Sequence, residues 1–260
     1  MALPRPAKVS ILGSLVDLLI TLLLWTYYIF GFIVFFSPIY LLAFFFAADR
    51  EGSFQKLNNL VYRSFFAFLR ILVPQVSWRV SPEVYAIRSS VIIANHLSFL
   101  DPILLISLFA RQKTVVKKTY FRVPVFGWIL KNSGYIPALA GDSGSEILLE
   151  QVGKMKAYLA KGGNLFMFPE GTRSRDGRIG PFDRGAFRIA KLCGAPIQVV
   201  TIRHTGRLYR PGRFWFNTRE RFTISVERAG TLRPDYDGDA FSLSDLMTQA
   251  RKLMAQRANP

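Results

Sequence analysis

At 260 residues the chain is long enough for one sizeable core and short for several independent domains. Its 34 Lys and Arg against 17 Asp and Glu leave a formal charge of +17, which points to anionic partners such as lipid head groups, acidic proteins or nucleic acid. The lone Cys193 excludes an internal disulfide and fits a reducing cytosol, and there is no Cys/His cluster with zinc spacing.

Residues 18–48, LLITLLLWTYYIFGFIVFFSPIYLLAFFFAA, carry no formal charge and read as a membrane segment. The run is too long and too aromatic for a cleaved signal, whose apolar region spans about 7 to 15 residues. As one helix it would reach roughly 46 Å, longer than a hydrocarbon core of about 30 Å, yet two spans need about 40 residues. It is therefore expected to bend at Gly31 or at Ser37-Pro38, because proline removes a helix donor and disfavours helix just before it. A hairpin of two short helices dipping into one leaflet is the favoured form, ahead of a single tilted or kinked span and of a buried soluble helix.

In residues 54–73, Phe54, Leu57, Val61, Phe65, Phe68 and Leu72 recur at steps of three or four, while Lys56, Arg63 and Arg70 recur every seven. This amphipathic helix suits a membrane interface, and equally a helix packed on the core with a solvated basic edge. Residues 1–76 are thus expected to form an anchor and interfacial helix, and residues 77–260 an α/β unit. Within the latter, apolar runs at 91–94, 115–116, 164–168, 197–202 and 222–226 read as strands with periodic segments between several of them. Asp101-Pro102 reads as an N-cap with proline at the first helical position. Ser143 and Glu146 have capping-box spacing ahead of a helix ending at Gly162-Gly163, and further helices are expected over 183–193 and 243–257.

Two blocks carry chemistry. In NHLSFLD, residues 95–101, a regular helix would leave His96 and Asp101 about 140° apart, so the pair requires a turn. In that turn the carboxylate can hold one imidazole nitrogen and make His96 a general base; alone, the pattern is more often a capping Asp beside a surface His. In LFMFPEGTRSRDGR, residues 165–178, an apolar strand ends in a carboxylate, a flexible glycine and a guanidinium, which suits a ligand end of an α/β sheet, while a structural Glu-Arg turn fits too.

Taken together, NHLSFLD, GYIPALAGD at 134–142, FPEGTRS at 168–174 and APIQVV at 195–200 resemble, in order, the motifs of the 1-acylglycerol-3-phosphate acyltransferase family of glycerolipid acyltransferases, over residues 77 to 230. The PFDRGAFRIA segment is similar to that family's helix after the third motif. The resemblance implies a mixed sheet flanked by helices, and an enzyme that transfers an acyl chain from an acyl carrier protein or coenzyme A thioester to a lysophospholipid hydroxyl at the cytoplasmic face of a membrane, without a further cofactor or metal. It implies that His96 is the base, that Asp101 orients it, that Glu170, Gly171, Thr172 and Arg173 shape the acceptor site, and that Lys117, with Lys118 as its neighbour, aids phosphate binding.

One departure from the family stands out: Ala138, Leu139, Ala140, Gly141 and Asp142 follow the Gly-x-Ile block where an arginine is common. The acceptor is then either lysophosphatidic acid held by Lys117 and Arg173, or another lysolipid such as a lyso-ornithine lipid. A non-catalytic membrane-tethered binding protein is the alternative from another class. A thioester hydrolase is disfavoured by the lack of a Gly-x-Ser-x-Gly elbow. Residues 203–221 hold six arginines among aromatics. Nucleic acid is one reading of that segment, but beside a membrane segment it better suits anionic head groups or an acidic carrier protein. His204 is expected to be structural.

Overall fold

The computed structural model describes residues 11–138 and 145–258. The chain opens with helix α1 (Ile11–Thr26), a π-helical stretch (Tyr27–Phe36) and helix α2 (Ser37–Phe46). These form one continuous 36-residue helix, Ile11–Phe46, long and apolar enough to cross a membrane. The expected break at Gly31 or Pro38 does not occur. Pro38 lacks an N–H and would clash with the carbonyl four residues back, but the wider register ahead of it, with the Ser37 N–H donating to the Phe32 carbonyl, carries the helix past it.

The hairpin lies further on. The chain reverses after Ala47, and Asp49 caps helix α3 (Arg50–Leu72) by accepting the Gly52 N–H at 2.9 Å. The arms run antiparallel, with Tyr40 on Phe54 at 5.1 Å, Tyr28 on Phe65 at 5.7 Å and Tyr27 on Phe68 at 4.8 Å between ring centroids. In α3 the cations Lys56, Arg63 and Arg70 face outward as expected, but Gln55, Asn58 and Asn59 are buried alongside Phe54 and Phe65, and Leu57, Val61, Phe68 and Leu72 are only partly covered.

The remaining elements are β1 (Val76–Val80), α4 (Pro82–Tyr85), β2 (Val91–Ala94), α5 (Leu100–Leu108), β3 (Gln112–Val116), a 3-10 turn (Lys118–Arg122), α6 (Phe126–Asn132), β4 (Ile136–Pro137), α7 (Ser145–Ala160), β5 (Asn164–Met167), α8 (Gly185–Cys193), β6 (Ile197–Arg203), α9 (Thr205–Leu208), β7 (Phe222–Leu232) and α10 (Leu243–Ala258). The expected strands are all present, and β1 and β4 are additional. The Ser143–Glu146 capping box lies outside the described residues. Helix α8 begins two residues later than expected and ends on Gly194 in the left-handed region.

The strands form one mixed sheet in the order β1-β7-β6-β2-β5-β3-β4, in which β6 and β7 are antiparallel and every other pairing is parallel. Strands β2 and β5 are buried throughout, as their unbroken apolar runs require when helices cover both faces. Successive residues serve opposite layers. Ile92, Phe166, Val200 and Ile202 join α3 and α5 in one core, while Val91, Ile93, Leu165 and Val199 join α7, α8 and α10 in the other. The parallel pairings bring the C-terminal ends of β6, β2, β5, β3 and β4 to one edge, where an α/β sheet receives ligands.

Candidate active site

Asn95, the first residue beyond β2, continues the sheet with its side chain: its amide donates to the Ile202 carbonyl at 2.8 Å and accepts the Ile202 N–H at 2.7 Å. This fixes where His96 leaves the sheet. The turn that follows is closed by Asp101, which sits inside the first turn of α5 and is not its N-cap, since the helix begins at Leu100. Its carboxylate reaches back into the turn instead of forward to the helix, accepting the N–H groups of Leu97 at 2.5 Å and Ser98 at 2.7 Å. The Thr205 hydroxyl donates to the other oxygen at 2.5 Å.

Within this cradle His96 Nδ1 lies 3.0 Å from Asp101 Oδ2, with the carboxylate 0% exposed and the imidazole 18% exposed. Every other contact of Asp101 is with a donor, so it accepts from Nδ1 as well, and in the neutral ring this tautomer leaves the lone pair on Nε2. The ring stacks on Phe168 at 4.3 Å and 22°. The arrangement can take a proton at Nε2 and stabilise the resulting imidazolium through Asp101.

The third-motif residues divide. Both Glu170 oxygens accept backbone N–H groups, from His96 at 3.0 Å and Gly180 at 2.9 Å, so this side chain ties the β5 loop to the His96 turn. The Ser174 N–H adds a second tie to the His96 carbonyl at 2.7 Å. Gly171 makes the turn with φ +64°, a region that a side chain disfavours. Thr172 and Arg173 are exposed, and Arg173 lies toward Tyr209, whose hydroxyl is pushed up by burial and partly pulled back by the Arg173 charge. Lys117 and Lys118 are exposed beyond the end of β3, two strands from β2, or roughly 10 Å at ~4.8 Å per strand. Strand β3 lies on the β5 side of β2, opposite β6.

The Gly-x-Ile block joins α3 to the sheet. Gly134 has φ +68°, and a Cβ there would collide with the Glu51 carboxylate. Tyr135 is buried, donates to Gln112 at 2.8 Å and accepts from Asn58 at 3.3 Å. Residues 139–142, which lack the family's arginine, lie outside the described residues. The fourth block, APIQVV, leads along β6, whose later residue Ile202 meets Asn95, and on to Thr205 at the start of α9, which meets Asp101; sequence reasoning missed Thr205. His204, at φ +65°, has its Nδ1 2.7 Å from the Thr223 carbonyl oxygen, a backbone partner that fits a structural role.

The acyltransferase family model matches residues 79–203, which contain the His96 turn, the Glu170 loop and both strands that carry them. Over that span the chain is similar to the acyltransferase family. Among its relatives, a chloroplastic 1-acyl-sn-glycerol-3-phosphate acyltransferase of Brassica napus is 39% identical over 122 residues, 47% of this chain and 35% of that protein. The 1-acyl-sn-glycerol-3-phosphate acyltransferase of Pseudomonas aeruginosa is 34% identical over 130 residues, 49% of each chain. The chain thus spans between a third and a half of the length of these two curated relatives. The crystal structure of the 1-acyl-sn-glycerophosphate acyltransferase PlsC from Thermotoga maritima superposes with a TM-score of 0.69 at 23% identity, covering 93% of this chain and 94% of that one. At that identity the likeness speaks for the fold.

Proposed function

We propose that this chain is an acyltransferase that moves an acyl group from a thioester to the free hydroxyl of 1-acylglycerol-3-phosphate, giving phosphatidic acid at the cytoplasmic face of a membrane. In this reading residues 1–76 anchor the protein and residues 77–260 carry the chemistry. The observation that supports it most is the 3.0 Å His96–Asp101 pair, with its fully buried carboxylate, at the C-terminal edge of the sheet. His96 Nε2 takes the hydroxyl proton as the oxygen attacks the thioester carbonyl. The C–S bond then breaks, and the imidazolium returns the proton to the departing thiolate, so no covalent acyl-enzyme is needed. Asp101 fixes the tautomer and Glu170 positions the His96 backbone, while Arg173 and Lys117 supply cations for the acceptor.

A membrane-docked site spares the acceptor a full exit into water, which at ~0.8 kcal/mol per methylene costs on the order of 10 kcal/mol for a sixteen-carbon chain. The exposed apolar face of Ile11–Phe46 supports such docking.

The test is acyl transfer by the purified chain, with products identified by mass spectrometry across lysophosphatidic acid, lyso-ornithine and head-group-bearing lysolipids. Lysophosphatidic acid is expected to be the preferred acceptor. His96→Ala is expected to lower kcat by at least about a thousandfold while vesicle binding persists. Retained transfer by His96→Ala would remove the proposed role of the histidine. Preference for another lysolipid would keep the chemistry and change the acceptor, an outcome that the missing second-block arginine makes worth measuring.

A further inference from the structure

Beside the His96 turn, on the β6 side, lies a cleft of about 450 Å³ whose walls include Leu97, Ser174 and four arginines: Arg175, Arg207, Arg210 and Arg213. We infer that this cleft binds the phosphate of a phosphopantetheine thioester, and is therefore the acyl-donor site of the reaction proposed above. The inference rests on that reading for the donor's role, but not for its binding.

The charge in the cleft is largely uncommitted. Arg207 pairs with Glu220 at 2.9 Å, a hydrogen bond that holds the Glu220 carboxyl below its ordinary range, with the nearby charge of Arg210 adding to it. Among the described residues, Arg175, Arg210 and Arg213 form no ion pair. The acid lining the cleft, Asp176, is occupied by the Ser174 hydroxyl at 3.0 Å and the Arg178 N–H at 3.1 Å. Guanidinium groups converging on one recess suit phosphate oxygens, which they can grip in pairs.

Position selects the donor. The other cations near His96 lie elsewhere: Arg173 toward Tyr209, which packs against Trp25 and Phe99 on the side of the apolar helix, and Lys117 across β5. That side suits an acceptor whose chain stays in lipid. The arginine cleft is walled by exposed loops on both flanks, one of which reaches the apolar helix through Phe214 on Trp25, and has Leu97 and Pro211 as its apolar side chains, which suits a water-borne group held at the membrane boundary. A phosphopantetheine thioester has that form, with its phosphate separated from the acyl carbon by a polar amide arm. The cleft begins at the residue after His96, and Ser174 in its wall donates to the His96 carbonyl at 2.7 Å. An arm anchored there leads to the histidine.

The experiment uses the full chain in detergent with Arg210→Gln/Arg213→Gln, both positions being exposed and free of ion pairs, and with Arg210→Lys/Arg213→Lys as the charge-keeping control. Coenzyme A binding by titration calorimetry, with no acceptor present, is expected to weaken about tenfold or more per arginine in the glutamine variant and to recover in part in the lysine variant. In turnover, KM is expected to rise for thioesters of both coenzyme A and acyl carrier protein, with KM for the lysolipid unchanged. Unchanged coenzyme A affinity, or a rise in lysolipid KM instead, overturns the assignment. A rise confined to one donor overturns the shared phosphate, in favour of nucleotide phosphates or the carrier's acidic surface. A chain that binds coenzyme A through this cleft but acylates no lysolipid would keep the site and lose only the function proposed above.

Discussion

The two arms of the N-terminal hairpin pack against the same core, yet they meet their surroundings in opposite ways. Along Ile11–Phe46 the outward residues are hydrocarbon, with Ile11, Phe45 and Phe46 at 82%, 70% and 81% exposure, while Asp17 and Thr21 point inward. Along α3 the outward residues include Lys56, Arg63 and Arg70, and the inward ones include three amides, at 0% exposure for Gln55, 4% for Asn58 and 8% for Asn59. Both arms bury polar groups because partners await them, as hydrogen-bond accounting demands. They differ in what they present outward, one arm hydrocarbon alone and the other charge beside Leu60 and Ile71. That difference suits a hairpin lying at a boundary between lipid and head groups.

The inward amides of α3 offer the hardest test of this comparison. Asn58 accepts from Tyr40 at 2.5 Å and donates to Ser133 at 2.8 Å, and Gln55 donates to the Ser133 carbonyl at 3.0 Å and accepts from Tyr158 at 2.7 Å. Asn59 caps the end of α5 through the Ile106 and Ser107 carbonyls at 2.8 and 2.9 Å. Asn58→Leu strips partners from several buried groups at once. It is expected to cost about 3 kcal/mol and to lower the thermal midpoint in detergent by roughly 6–12 °C. A midpoint within a degree of the wild type would mean that α3 is not held by these amides.

The inward carboxylate of the first arm is expected to matter somewhat less. Asp17 accepts from the Thr218 N–H at 3.1 Å, the Thr218 hydroxyl at 2.6 Å and Arg219 at 2.9 Å, while the Thr21 hydroxyl accepts the Phe216 N–H at 3.0 Å. These bonds moor the start of the apolar helix to the loop below the arginine cleft. Asp17→Leu is expected to cost about 2 kcal/mol and to speed hydrogen exchange of the Thr218 amide by tenfold or more, with Asp17→Asn falling between. Unchanged exchange at Thr218 would show the mooring to be idle.

The sequence made legible what is local. His96 and Asp101 lie five residues apart in one turn, so their pairing followed from spacing and resemblance, and the buried strands announced themselves as unbroken apolar runs. Partners distant in sequence stayed hidden: Glu170 meets the His96 N–H across 74 positions and Asn95 meets Ile202 across 107, and nothing in either segment foretells the match. The amides of α3 looked like an ordinary flank of an amphipathic helix because most of their partners come from residues 106–158. The hairpin was misplaced because proline signals a break in α-helical register, and a π-helical register absorbs it. Strand β4 has two residues, too few for periodicity to register, and β1 runs into α3 through Val73 and Pro74 with no clear apolar boundary.

The outward faces are where the comparison can be sharpened with the least disturbance to folding. Leu42 and Phe45 are 59% and 70% exposed, so serine at both positions removes little packing, and the thermal midpoint in detergent is expected to shift by no more than about 0.5 kcal/mol of stability. If that face meets hydrocarbon, binding to neutral vesicles should fall tenfold or more, since burying each side chain is worth about 1.5–3 kcal/mol. The matching change on the second arm, Lys56→Ala with Arg63→Ala, should leave neutral-vesicle binding alone and weaken binding to anionic vesicles by about 1 kcal/mol per charge, an effect that salt abolishes. Flotation assays on the two vesicle types separate these effects. If the serine pair is silent on neutral vesicles while the alanine pair weakens binding there, the assignment of hydrocarbon to one arm and head groups to the other is reversed, and the apolar helix needs a protein partner instead of a bilayer.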